Sequence, residues 1–376
     1  MFFSNVVAFT ILVSLSLLTA LIGTLVFSST TDEPDFFEQE LSALLANDMP
    51  AYAFMHGINL TKLEIETSDG WLLEVHRLRS LSIYKAKLST PVYLSHGFGC
   101  SSFDFMANPR NESLAFLLAD AGFDVWAVNY RASKVSNRVR KNGVIGVPEE
   151  KDYYRATWQY MAERDVPAVL DKMLEVTKKE QIYLIGQSMG TTVLFSFLSE
   201  NHEYDSKIGL FTSIVPVIKF GEDTAFFLRT LFNLVSTIPK VTVWPVFDML
   251  FGRQFLASQN PSVNAFTEFM QSQLCKKVPR ICELIIKTLF QAGLNDATNH
   301  NPHIRVTRFP VYISKYPAGV TVMNMYQFAR QYKKDPWTKM DYEEVKQTGI
   351  LNVNEYNQVR TRLLVRLPYM HVICYV

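Results

Sequence analysis

The chain of 376 residues is poor in several features that would set its class at once. Four cysteines are too few for a disulfide-built scaffold of this length. Sixteen glycines and sixteen prolines, with no internal repeat and no biased tract, exclude collagen-like and low-complexity chains. Neither sign of charge dominates: 37 Lys and Arg face 36 Asp and Glu, a formal net charge of +1, so no global basic field exists to hold a polyanion. Nucleic acid is therefore not an expected partner. The basic stretch Arg131, Lys134, Arg138, Arg140 and Lys141 reads as a solvated loop. Long apolar runs are also scarce, and the only one lies at the start of the chain.

What is present is apolar and aromatic. With 48% apolar and 13% aromatic residues the chain can bury a large core in one or two compact domains. Its 27 Phe, 17 Tyr and 13 Met supply soft apolar surface of the kind that suits a lipid-like ligand as well as a core. The run from Val6 to Phe27 carries no charge, and Val26 and Ser28 stand at positions −3 and −1 of a cleavage-like exit. Residues 1–28 thus read as a signal peptide or, given their length, as an uncleaved membrane anchor. Either reading puts the remainder in the lumen of the secretory pathway. Asn59-Leu60-Thr61 and Asn111-Glu112-Ser113 are glycan acceptor sequons, whereas Pro261 disqualifies Asn260. In an oxidising lumen Cys275 and Cys282, close together around Pro279, are candidates for a disulfide, with Cys100 and Cys374 left unpaired.

Along the chain, Leu63 to Arg77 reads as a hairpin of two edge strands turning at Ser68-Asp69-Gly70. Apolar strands follow at Pro91–Ser95, Asp124–Asn129, Gln181–Ile185 and Leu210–Val217, separated by helices at Ser113–Ala121, Tyr154–Lys178 and Thr191–Glu200. Strands alternating with helices imply βαβ crossovers and a mostly parallel sheet covered on both faces, an α/β fold. From Lys219 to His303 apolar residues recur at helical spacing, cut by Pro239, Pro245, Pro261 and Pro279, as expected of a helical cap insertion. The sheet-like pattern resumes at Arg308–Ser314, and Val320–Gln331 reads as a helix.

The chemistry centres on Gly186-Gln187-Ser188-Met189-Gly190 between a strand and a helix. That context lifts a serine onto a sharp turn at the top of the sheet, so Ser188 is the candidate nucleophile. An attacked ester carbonyl needs backbone N–H groups aimed at its oxygen, one at the N-terminus of the helix after the nucleophile. Met189 supplies that one, and Phe98 in the flexible His96-Gly97-Phe98-Gly99 loop is the candidate for the second. His96 reads as a residue that holds this loop.

Tyr93-Leu94-Ser95-His96-Gly97, Asn111 to Phe116, Ala119 to Trp126, Gly186 to Thr192, Phe251 to Leu256 and Tyr316-Pro317-Ala318-Gly319 together resemble the acid lipase family of gastric and lysosomal lipases. The resemblance runs in order from about Asp35 to Gln358. It implies an α/β-hydrolase core at 35–218, a helical cap at 219–307, a return to the core at 308–358, and no metal or organic cofactor. It also implies hydrolysis of triacylglycerols or cholesteryl esters, with a neutral lipid or a lipid–water interface as partner, in a secreted or lysosomal protein. Gln187 and Met189 replace the family's usual His and Gln beside the serine, and Lys315 stands where a His is common. The tail 359–376 departs altogether, so the family's triad Asp and His are not carried over and the C-terminal strands read as missing. After Ser188 the histidines are His202, His300, His303 and His371, and none sits in a pattern that marks a base. The expectation is therefore a lipase, or an inactive lipase-like protein that binds lipid, with the strand Leu210–Val217 left as an apolar sheet edge. Replacing Phe227 and Phe232 by Ser in an active form is expected to lower turnover of long-chain esters more than of short-chain ones, and equal losses would assign both rings to packing.

Overall fold

The computed structural model of the chain describes residues 36–82, 90–217, 254–255, 308–333, 338–340, 353–355 and 372–375. The N-terminal run, nearly all of the cap, the pair Cys275 and Cys282, and His300, His303 and His371 lie outside the described residues.

Helices α1 (Phe36–Leu45) and α2 (Met49–Met55) lead into strands β1 (Ile58–Glu66) and β2 (Trp71–Ser80). The turn between the strands needs Gly70, at φ +88°, because a Cβ there would lie 2.4 Å from the Arg140 carbonyl oxygen. Strands β3 (Pro91–Ser95), β4 (Asp124–Val128), β5 (Arg138–Lys141), β6 (Val144–Gly146), β7 (Ile182–Gln187) and β8 (Ile208–Ile214) follow. Between them run α3 (Leu114–Asp120), α4 (Val166–Thr177) and α5 (Met189–Glu200). The sheet order is β13-β8-β7-β3-β4-β2-β5-β6, with β1 paired to β2. Strands β4, β3, β7, β8 and β13 (Val372–Tyr375) are mutually parallel.

Strands β3 and β4 are buried along their whole length, as a sheet covered on both faces requires. Alternate residues serve opposite cores. Tyr93, Trp126, Val128 and Leu184 pack with Val169, Leu170 and Met173 of α4 and Val193 and Phe197 of α5. Val92, Leu94, Val125 and Ala127 pack on the other face with Tyr52, Phe103 and Phe116.

Several expectations change. The hairpin does not consist of two edge strands: β2 is internal, because it pairs with β1 along one side and with both β4 and β5 along the other. The single helix expected over Tyr154–Lys178 is interrupted at Arg155–Thr157: Glu150–Tyr154 forms one piece, and Trp158–Tyr160, a wide π turn over Met161–Asp165 and α4, which carries Pro167 just after that turn, run on as the next. Arg308–Ser314 is not sheet-like; it forms the start of α6 (Phe309–Lys315), again with proline in the first turn. Helix α7 (Val322–Lys333) follows the two-residue strand β10 (Val320–Thr321), which pairs with β9 (Gln254–Phe255). The C-terminal tail is not without a strand. Val372–Tyr375 adds to the sheet in parallel beside Phe211–Ile214, so β8 is paired on both sides and is not the open edge expected.

The basic stretch is not a solvated loop. Arg138 and Arg140 lie on β5 and pair with Glu64 and Glu66. Arg131 is fully buried, with its guanidinium held 2.7 Å from Asp165 and 2.8 Å from Asp69. A second buried tie joins the N-terminal helices to α6: Glu40 lies 2.7 Å from His56 Nε2 and 2.8 Å from Arg308. Removing one partner from such a pair leaves the other charge buried and unpaired. Arg131→Met is therefore expected to destabilise the fold by about 3–5 kcal/mol in denaturant titration, and a loss below about 1 kcal/mol would contradict the assignment.

Candidate active site

Ser188 closes β7 and caps α5 with φ +50° and ψ −119°, a combination that few non-glycine residues adopt. The turn is held from both sides. The Ser188 N–H donates to the Ile214 carbonyl at 3.0 Å, and the Ser188 carbonyl accepts from the Thr191 N–H at 2.9 Å and its hydroxyl at 2.6 Å. Both flanking glycines are sterically required. A Cβ on Gly190 would come within 2.2 Å of the Ser95 carbonyl oxygen, and one on Gly186 within 3.0 Å of the Gly190 backbone. Ser188 itself stays half-buried, so its hydroxyl is not sealed in the core.

The loop after β3 lies against this turn. A Cβ on Gly97 would stand 3.4 Å from the Ser188 Cβ, so the loop lies in van der Waals reach of that side chain. Among the described residues neither the Phe98 N–H nor the Met189 N–H has a backbone acceptor, and the second is an orphan by its place at the start of α5. Backbone donors left open at such a turn can stabilise a developing oxyanion.

His96 is buried, and burial pushes its imidazole down to about 4, so the ring is neutral. The Tyr130 N–H donates to Nε2 at 3.2 Å, which puts the proton on Nδ1, where it is donated to the Gly97 carbonyl at 2.8 Å. The ring thus holds the loop, as the sequence suggests. Residues that sequence reasoning missed complete the support. Ser95 Oγ bonds the Tyr130 hydroxyl at 2.5 Å and donates to the Gly190 carbonyl at 3.2 Å, tying β3, β4 and the elbow together. Asn324 of α7 donates to Met189 Sδ at 3.2 Å and accepts from the Trp158 N–H at 2.9 Å. Only the pairing of distant segments reveals these contacts.

The other described histidines are engaged elsewhere. His56 pairs with Glu40, His76 with Glu74 and the Ser102 hydroxyl, and exposed His202 follows the far end of α5. His371 immediately precedes β13, whose first residue is in register with Phe211 and through it with Leu184, about 13 Å down the strand from Ser188. Among the described residues no group of three or more His, Cys, Asp and Glu is arranged to hold a metal.

Residues 49–109 match the model of a partial alpha/beta-hydrolase lipase region, and residues 90–272 match that of the alpha/beta hydrolase fold. Lipase member K of Mus musculus is 30% identical over 305 residues, which cover 81% of this chain and 70% of that protein. The chain belongs to the acid lipase family. Gastric triacylglycerol lipase of Rattus norvegicus is also 30% identical, over 80% of this chain and 70% of its own length. Lysosomal acid lipase/cholesteryl ester hydrolase of Macaca fascicularis is 28% identical over 78% and 68%. A solved structure from Sulfolobus solfataricus, described as a candidate lipase, superposes with a TM-score of 0.51 at 14% identity, covering 85% of this chain and 86% of that one, and supports the fold alone. By this family resemblance the chain is a carboxylic ester hydrolase of the α/β-hydrolase class.

Within this family framework the loop has one unusual buried acid. Asp104 accepts from the Tyr316 hydroxyl and from the Ser101 N–H at 3.4 Å, and the Ala318 N–H holds the Gly99 carbonyl at 2.9 Å alongside. Burial raises the Asp104 carboxyl to about 6 despite these bonds. The folded state then binds its proton more tightly than the unfolded chain does, so the stability it contributes is full below about pH 4 and is lost as pH rises through about 6. Asp104→Asn should abolish this dependence. Relative to the variant, the parent is expected to lose on the order of 3 kcal/mol between pH 4 and 7 in urea titrations. Parallel profiles would show that Asp104 does not titrate in this window.

Proposed function

We propose that the chain is a serine ester hydrolase acting on neutral-lipid esters, triacylglycerols or sterol esters, with Ser188 as nucleophile. The observation that carries this reading is the strained Ser188 backbone on the β7–α5 turn, with Gly97 against its Cβ and, among the described residues, no backbone acceptor for the Phe98 and Met189 N–H groups. Ser188 Oγ attacks the ester carbonyl carbon while its proton passes to a base. The carbonyl oxygen becomes an oxyanion that accepts from the Phe98 and Met189 N–H groups, and collapse expels the alcohol and leaves an acyl-serine for water to cleave. A Met at 189 is compatible with this role, since the backbone alone donates.

Lipid as substrate is supported by the names of the relatives, which include a triacylglycerol lipase and a cholesteryl ester hydrolase. The position of the cap segment agrees. It leaves beside the elbow, where the Val217 N–H donates to Thr191 Oγ1 at 2.9 Å, and its Gln254–Phe255 pairs with β10 just before Asn324 reaches Met189. Both described points of this aromatic-rich segment thus lie next to the first turn of α5, which supports water-insoluble esters as the substrate class. A lumenal route fits the apolar residues 6–27, and Asn59 and Asn111 are both exposed, as glycan acceptors must be. Within the described residues no helix is long and apolar enough to cross a membrane.

One observation favours a second reading, a lipid-binding protein without turnover: each described histidine is committed to other contacts, so the base belongs to residues outside those described. Fluorophosphonate labelling with peptide mapping, run alongside hydrolysis of a long-chain ester, separates the two. The hydrolase should label at Ser188 and lose about 10⁴–10⁶ in rate as Ser188→Ala. Label at another residue, or equal background rates in parent and variant, would reject it.

A further inference from the structure

Around the Ser101–Phe103 turn, just after the loop that follows β3, the chain forms a partly open cavity of about 220 Å³. It is formed where the α1–α2 junction, strands β1 and β2, the Ser101–Phe103 turn, the loop after β4 and the end of α6 meet. Three ammonium groups, those of Lys62, Lys134 and Lys315, line it against one carboxylate, that of Glu74. That carboxylate is already committed: His76 Nε2 lies 2.8 Å from it and Lys62 Nζ 3.9 Å. Half-buried Lys315 is left with a neutral partner, donating to Asn47 Oδ1 at 2.5 Å, and has no ion pair among the described residues. Burial, and after it the charges of Lys62 and Lys134, bring the Lys315 ammonium down to about 8, as expected of a cation gathered with like charges and short of a counter-ion.

The same cavity is apolar along its other wall. Leu44, Leu45, Met49 and Val135 line it, and Leu45 and Val135 remain exposed at 45% and 39%. A group of cations beside exposed aliphatic side chains matches an amphiphile with a single anionic head better than it matches a free inorganic ion. We infer that this cavity binds a fatty acid, its carboxylate among Lys62, Lys134 and Lys315 and its alkyl chain against Leu45 and Val135. The charge complementarity and the apolar wall stand independently of catalysis. The source of the fatty acid rests on the ester hydrolase reading, since each turnover of that reaction releases one. Occupancy would be felt at the oxyanion loop, because Lys315 directly precedes Tyr316, which bonds Asp104, and Ala318, which holds Gly99.

The test is calorimetric titration of the full chain carrying Ser188→Ala with sodium octanoate and, separately, with inorganic phosphate. Working in this background makes the result independent of whether Ser188 is a nucleophile, which the labelling experiment decides on its own. Octanoate should bind, and Lys315→Met should weaken it at least tenfold. Val135→Asp, on an exposed side chain that folding does not need, should weaken it by a similar factor through repulsion. Phosphate should bind much more weakly than octanoate. Octanoate affinity unchanged in both variants would overturn the site, and phosphate binding as tight as octanoate would overturn the fatty-acid assignment.

Discussion

The structure depends on the contact between Gly190 and the Ser95 carbonyl. The first turn of α5 is pressed so closely onto the end of β3 that a single methyl group would overlap the carbonyl oxygen at 2.2 Å. This approach forces β7 to turn sharply, and Ser188 absorbs the bend at φ +50°. A non-glycine residue in such a conformation costs on the order of 1–3 kcal/mol. Hydrogen bonds from Thr191 and to Ile214 offset that cost, and Ser95 spreads the constraint to β4 through the Tyr130 hydroxyl. The ends of three parallel strands thus form one rigid platform, and an attacking group has to be held on such a platform to be effective.

The elbow was legible in the sequence because its requirements are local. Two glycines and a serine at fixed spacing between a strand and a helix state both the steric problem and its solution. The parallel strands were legible for the same kind of reason, since Pro91–Ser95 and Asp124–Val128 are apolar on both faces. What escaped depends on pairing at a distance. Nothing in Arg138-Val139-Arg140 indicates that Glu64 and Glu66 will neutralise it on the sheet, and nothing local says that Arg131 will be buried between Asp69 and Asp165. The hairpin signal of β1 and β2 says nothing of what lies on the far side of β2; in the fold His76 finds Glu74 and Ser102 while Arg77 finds Asp124. An apolar patch in the tail, Val372–Tyr375, gave no sign of which strand it would join.

The two halves of the proposed chemistry differ in the same way. The proposed electrophile-binding half is encoded within a few residues of Ser188 and Gly97, whose approach the fold brings to van der Waals contact. The proton-accepting half is not found among the described residues. Ser188 lies at the C-terminal edge of the parallel strands. β13 runs parallel to β8 and reaches that edge only at Tyr375, opposite Ile214, with its first residue Val372 opposite Phe211 in the middle of β8. The excursion that begins at Val217 leaves from the correct edge, bonded to Thr191 and Thr192, and returns through β10 to Asn324 and Met189. It contains His300 and His303. Both described ends of that excursion, Val217 and the Val320–Asn324 stretch, meet the first turn of α5 at the edge of the sheet where Ser188 lies.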